Sequence, residues 1–171
     1  SFVMNHGVWE HNENDALRVL TSTDLINWTV AATSHPGAAY NPTGRWDHMY
    51  MAVDPSSSAP SYIGYAVASP LNASKYAGTW PGVQRSVDAV HWVAGAPLAV
   101  EWGGLAPQSI EEGGFERLEL PTPDGGSRYF LIGGGGAARG GMSYSMWVFS
   151  SDSVEGPYRP QTPRFRLSGG G

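Results

Sequence analysis

The heptapeptide Ser22-Thr23-Asp24-Leu25-Ile26-Asn27-Trp28 returns farther along the chain as Ser86-Val87-Asp88-Ala89-Val90-His91-Trp92, and no other feature of the sequence limits its fold so strongly. A looser third copy runs from Ser150 to Tyr158, and with it Asp24, Asp88 and Asp152 stand at equal intervals. A second register agrees approximately. Trp46-Asp47 followed by Tyr62-Ile63-Gly64-Tyr65 parallels Phe115-Glu116 followed by Tyr129-Phe130-Leu131-Ile132, and the interval from Asp47 to Glu116 is close to that from Tyr62 to Tyr129. Repetition at a fixed period marks one supersecondary unit used several times. The repeated Ser/Thr-x-Asp has a physical reading as a turn in which side-chain oxygens satisfy nearby backbone N–H groups, leading into an aromatic that packs between units.

Inside each unit helical periodicity is absent, and short runs of β-branched and aromatic residues recur between Gly, Pro, Ser and Asn clusters. Strands are predicted over 2–4, 17–21, 48–53, 62–68, 115–120, 129–133 and 146–150, with the longest irregular stretches at 32–45, 70–85 and 133–143. The 23 Gly, 13 Pro and only 15% charged residues fit many strands joined by tight turns. A unit of this size, holding about four strands, is one blade of a β-propeller. The expected fold is therefore all-β: about two and a half blades of four antiparallel strands each, residues 1–171 forming a section of a single propeller domain. Fewer than three blades cannot close a ring, so the rest of the propeller is expected from the same longer chain.

A net charge of −5 with 10 Lys and Arg offers no basic stripe, so nucleic acid is not an expected partner. No segment reaches the ~20 apolar residues that span a bilayer, and no membrane partner is expected. With no Cys, disulfides, thiolate nucleophiles and cysteine metal sites are excluded. Asn27-Trp28-Thr29 and Asn72-Ala73-Ser74 match the glycosylation sequon. His6, Glu10 and His11 invite a metal reading, but their spacing belongs to no zinc pattern without a helix to align it, so no metal site is predicted.

The turn Ser22 to Trp28 resembles the S-x-D-L-x-x-W turn of the five-bladed glycoside hydrolases of families 32, 43 and 68. The stretch from Phe115 to Tyr158 is similar to a family 43 block, with Glu116 on an inner strand, Asp124-Gly125-Gly126 as a turn and Tyr129-Phe130-Leu131 as the next strand. Gly133-Gly134-Gly135-Gly136 supplies its glycine-rich loop, and Ser151 to Gly156-Pro157-Tyr158 its closing turn. The resemblance implies an extracellular or periplasmic enzyme acting on an oligosaccharide or polysaccharide that contains arabinose, xylose or fructose. The alternative is a non-catalytic propeller that binds carbohydrate or protein. No cofactor is implied beyond an axial calcium that some family members carry.

Glycosidic cleavage needs one carboxyl to protonate the leaving oxygen and a second to activate water or attack the sugar. A further carboxylate nearby raises the acid's pKa by like-charge repulsion. The resemblance gives Asp47 the place of this modulator and Glu116 that of the general acid, while the Asp base of the first blade falls upstream of Ser1. Ile110-Glu111-Glu112-Gly113 also resembles the surroundings of a family 43 acid, so Glu112 and then Glu111 compete with Glu116. Glu116 is preferred because it heads an inner strand, whereas Glu111 and Glu112 are expected in the preceding loop. Asp47 has an equal alternative as the ion-pair partner of Arg45. Trp46, Arg117 and Arg139 are candidate substrate ligands, and Trp9, Trp80 and Trp102 are further aromatic faces for a sugar ring.

Overall fold

The computed structural model describes residues 1–8, 16–54, 56–76, 79–103, 110–119, 127–135 and 145–161, with the backbone alone for 73, 74, 111–119, 127 and 145. The strands are β1 (Phe2–Gly7), β2 (Leu17–Ser22), β3 (Thr29–Ser34), β4 (Trp46–Val53), β5 (Tyr62–Ala68), β6 (Trp80–Ser86), β7 (Val93–Ala94), β8 (Glu111–Glu119), β9 (Ser127–Gly135), β10 (Ser145–Ser151) and β11 (Arg159–Pro160). Among the described residues one helical turn, α1 (Ala73–Tyr76), is the exception to an all-β architecture. The strands form three antiparallel sheets in which sequence neighbours are spatial neighbours, ordered β1-β2-β3, β4-β5-β6-β7 and β11-β10-β9-β8. Among the described residues no helix is long and apolar enough to cross a membrane.

The chain divides into two compact units, Ser1–Leu71 with Pro81–Pro97, and Asn72–Trp80 with Leu98–Gly171. In the first, Leu17, Tyr40, Trp46, Met49, Ala66 and Ala68 form a buried cluster flanked by Met51 and Trp92. Its polar members are satisfied within it: Ser34 donates to the Gln84 side-chain carbonyl, Trp46 Nε1 donates to Ser34 Oγ at 3.3 Å, and Gln84 Nε2 contacts Met49 Sδ at 3.1 Å. Each buried polar atom paired in this way avoids a desolvation cost of about 1–3 kcal/mol. In the second unit Trp80 meets Trp102 and Phe149 edge-on, with ring centroids 4.8 and 5.2 Å away, and donates its ring N–H to the Leu98 carbonyl at 2.8 Å.

Four strands are additional to those expected from the sequence: β3, β6, β7 and β11. β6 is masked by Pro81-Gly82, a pair that reads as a break. Gly82 is there for space, because a Cβ would sit 2.7 Å from the Trp46 ring and 2.8 Å from the Ala68 methyl. β8 begins at Glu111, not near Phe115, so Glu111 and Glu112 belong to the strand and not to the loop before it.

The repeated turns lie at equivalent places, each leaving a strand that ends in Ser: Ser22 of β2, Ser86 of β6 and Ser151 of β10. In the first two the bonding is the same. The Ser hydroxyl donates to Asp24 or Asp88 Oδ1 (3.0 and 2.9 Å) and accepts that residue's N–H (3.2 Å in both). The carboxylate then accepts the N–H groups of Ile26 and Asn27, or of Val90 and His91, at 2.8–2.9 Å. Trp28 and Trp92 close the turns by donating to the Leu25 and Ala89 carbonyls at 3.1 and 3.0 Å. The third turn corrects the sequence alignment by one position. Ser151 Oγ accepts from Ser153, not from Asp152, and Glu155 N–H donates to Ser153 Oγ. Ser153 therefore holds the place of Asp24 and Asp88, and Tyr158 donates to the Val154 carbonyl as Trp28 does to that of Leu25.

Candidate active site

Asp47 stands second on β4, opposite Val67 of β5, and the residue after it breaks the ladder: the next pair is Met49 with Ala66, leaving His48 as a bulge. Asn5 of β1 clamps that bulge by donating Nδ2–H to the Met49 carbonyl and accepting the Met49 N–H, both at 2.8 Å. β1 also closes over the carboxylate, since a Cβ on Gly7 would lie 2.8 Å from Asp47 Cβ. The Asp47 side chain is 1% exposed, and Arg45 grips it from Nε at 3.0 Å and Nη2 at 2.9 and 3.1 Å. The His48 ring lies 3.6 Å away. A buried carboxylate is tolerable only when paired and hydrogen-bonded in this manner. Both oxygens are engaged by Arg45, whereas handing a proton to a leaving group requires an oxygen turned toward it. Of the two readings open for Asp47, the Arg45 ion pair is present.

Glu112 and Glu116 both lie on β8, and the ladder registers separate them. Glu112 is opposite Gly133, Gly114 is opposite Ile132, and Gly113 is the extra residue between. Glu112 thus immediately precedes a single-residue bulge on the first strand of its sheet, as Asp47 does. The interval from Asp47 to Glu112 also equals that between the strand-end serines Ser86 and Ser151. Glu116, paired with Phe130 in mid-strand, instead corresponds to Met51, and Glu111 corresponds to Trp46. The expected alignment of Asp47 with Glu116 is corrected accordingly, because its longer spacing does not survive the register of the hydrogen bonds.

Trp46 is fully buried against Tyr40, with centroids 4.8 Å apart, so its ring is used in packing. Trp80 is equally buried. Trp102 is partly exposed and donates to the Lys75 carbonyl at 2.7 Å. Arg117 pairs through its backbone with Tyr129 on β9. Arg139, Trp9, Glu10, His11 and the turn Asp124-Gly125-Gly126 lie outside the described residues. Among the described residues no three His, Cys, Asp or Glu side chains come together as metal ligands. Sequence reasoning missed Asn5 and Gly7, whose roles are visible only once β1 is laid beside β4. No family model matches the chain, and no curated protein matches it.

Proposed function

We propose that the chain is part of a five-bladed β-propeller of the glycoside hydrolase type, with Glu112 in the proton-donor role and Asp47 in the role of the modulator carboxylate. The observation that carries this reading is the shared bulge. Bulges re-aim a side chain and are over-represented beside active sites, and here two acids each precede one at the same place in successive four-stranded sheets. Three consecutive up-and-down sheets in one register support the propeller. The chemistry then follows from the residue types. A carboxylic acid donates to the glycosidic oxygen as positive charge builds on the sugar, and a second carboxylate on the opposite face deals with the anomeric carbon. The substrates are arabinose-, xylose- or fructose-containing glycans met outside the cytoplasm, with Arg117 and Arg139 as candidate hydroxyl ligands.

The test uses the natural full-length protein and paired substrates, an unactivated disaccharide and an aryl glycoside whose phenolate leaves without protonation. Glu112→Gln should lower kcat/KM on the disaccharide by about 10²–10⁴-fold and on the aryl glycoside far less, while Glu116→Gln changes neither. If Glu112→Gln spares the disaccharide and Glu116→Gln does not, the acid is Glu116. Glycan binding without cleavage of any glycoside would establish the non-catalytic alternative.

A further inference from the structure

The third turn differs from the other two beside a cleft of about 250 Å³ lined by Arg128, Ser151, Asp152, Pro157, Arg159 and Gln161. The register shows what has changed there. Arg159 faces Ser150 across β10–β11, the place held by Val93 opposite Arg85 and by Thr29 opposite Thr21. Arg128 corresponds to Tyr62, and Asp152 to Thr23 and Val87, each immediately after the strand-end serine. Three neutral positions of the repeat have thus become two guanidiniums and a carboxylate that line one cleft.

The bonding of these groups leaves an incomplete pattern. Arg128 donates through Nε to Asp152 Oδ1 at 3.0 Å, and Arg159 through Nε to Glu101 Oε2 at 2.7 Å. Each guanidinium is steadied from its side, and among the described residues neither uses its two terminal nitrogens, which form the fork that fits a carboxylate. Asp152 keeps Oδ2 as a hydrogen-bond acceptor. The two pairs balance in charge, so attraction here comes from directed donors and an acceptor and not from a net positive field. A polyanion has no advantage, whereas a ligand that brings one carboxylate and adjacent hydroxyls meets both a guanidinium fork and the free carboxylate oxygen. The volume lies below the ~300–1,000 Å³ of pockets that take drug-sized ligands, which suits a single ring.

We propose that this cleft binds a hydroxylated carboxylate of the uronic acid type, its carboxylate on the Arg159 fork and a hydroxyl on Asp152. The site lies at the end of its sheet where β10 turns into β11, with Arg128 reaching it from β9, and stands whether or not the chain cleaves glycosides. Calorimetric titration of the full chain with glucuronate tests it, with propionate, glucose and inorganic sulfate in parallel. Glucuronate should bind, and the other three should bind at least about tenfold more weakly, each lacking part of the pattern. Arg159→Gln should weaken glucuronate about tenfold or more, and Arg159→Lys should not restore it, because the ammonium lacks the fork. Asp152→Asn should weaken glucuronate but not propionate. An unchanged melting temperature shows that these exposed positions leave the fold intact. Glucuronate bound equally by wild type and Arg159→Gln overturns the site, as does the absence of glucuronate binding; propionate or sulfate bound as tightly as glucuronate overturns the ligand class.

Discussion

The turns after β2 and β6 solve one geometric problem with an aspartate, and the turn after β10 solves it with a serine. In the first pair Leu25 and Ala89 adopt φ of 65° and 62°, a conformation costly for residues with a Cβ, and the carboxylates of Asp24 and Asp88 hold the backbone there by collecting successive N–H groups. The third turn has one more residue between its paired strand ends, from Ser150 to Arg159 against Thr21 to Thr29 and Arg85 to Val93. There a hydroxyl does part of the carboxylate's work, and the positive φ moves to Gly156 at 95°. What the repeat preserves is a set of bonds: a serine at the strand end, an acceptor two positions on, and an aromatic polar hydrogen on the carbonyl after that acceptor. Residue identity is secondary, and the acid released from the turn is Asp152, which goes to the surface and Arg128.

The contrast breaks most sharply at Gly156. A Cβ there would sit 2.5 Å from the Ala99 carbonyl oxygen, a backbone atom that cannot swing aside, on top of the unfavourable φ. Gly156→Ala should cost about 2–4 kcal/mol in chemical denaturation. A loss below about 1 kcal/mol would mean that the third turn is as tolerant of a side chain as the first two.

Acid should separate the turns next. The N–H and side-chain amide of Asn27, then the Ile26 N–H and Ser22, hold the Asp24 carboxyl far below its ordinary value; the His91 ring and N–H, then the Val90 N–H, do the same for Asp88. Both folded values lie below the unfolded value of 3.8, so the stabilisation is fully present above about pH 4 and is lost as pH falls below it. The double variant Asp24→Asn, Asp88→Asn should melt below wild type at pH 6, with the gap closing toward pH 2. Ser153→Ala carries no titrating group and should shift the melting temperature by the same amount at both values.

The turn chemistry and the central strands were legible in the sequence because both rest on local patterns. Ser-x-Asp with a following Trp specifies its own hydrogen bonds, and Tyr62–Ala68 is apolar along its whole length because it lies inside its sheet, between β4 and β6. What stayed hidden depends on partners far away in the chain. Trp80–Ser86 contains a Pro and a Gly that a strand normally avoids, and the Gly is explained only by the Trp46 ring above it. Glu111-Glu112-Gly113-Gly114 reads as a loop, yet it is the start of β8 because Gly133 and Gly134 pair with it. The proposal of Glu112 in place of Glu116 rests on a single bulged residue, which spacing alone cannot show. The same sensitivity to a single register step made the equal interval from Asp88 to Asp152 a coincidence of number and not of position.

The smallest effect probes why the first two turns keep side chains at a glycine conformation. Replacing Leu25 or Ala89 by Gly removes about 1–2 kcal/mol of left-handed strain and adds roughly 0.5–1 kcal/mol of unfolded-chain entropy. Leu25→Gly and Ala89→Gly should therefore each lie between neutral and about 1.5 kcal/mol more stable in denaturant melts. The same change at Val154, which occupies the equivalent place with a buried side chain and no positive φ, should destabilise instead, since Gly there loses packing and relieves nothing. If all three glycine variants moved in one direction, the turns would share a backbone after all, and the serine-for-aspartate exchange would be a change of side chain alone. Opposite signs would mean that the extra residue of the third turn rebuilt the backbone path, and that this path is what frees Asp152 for the cleft.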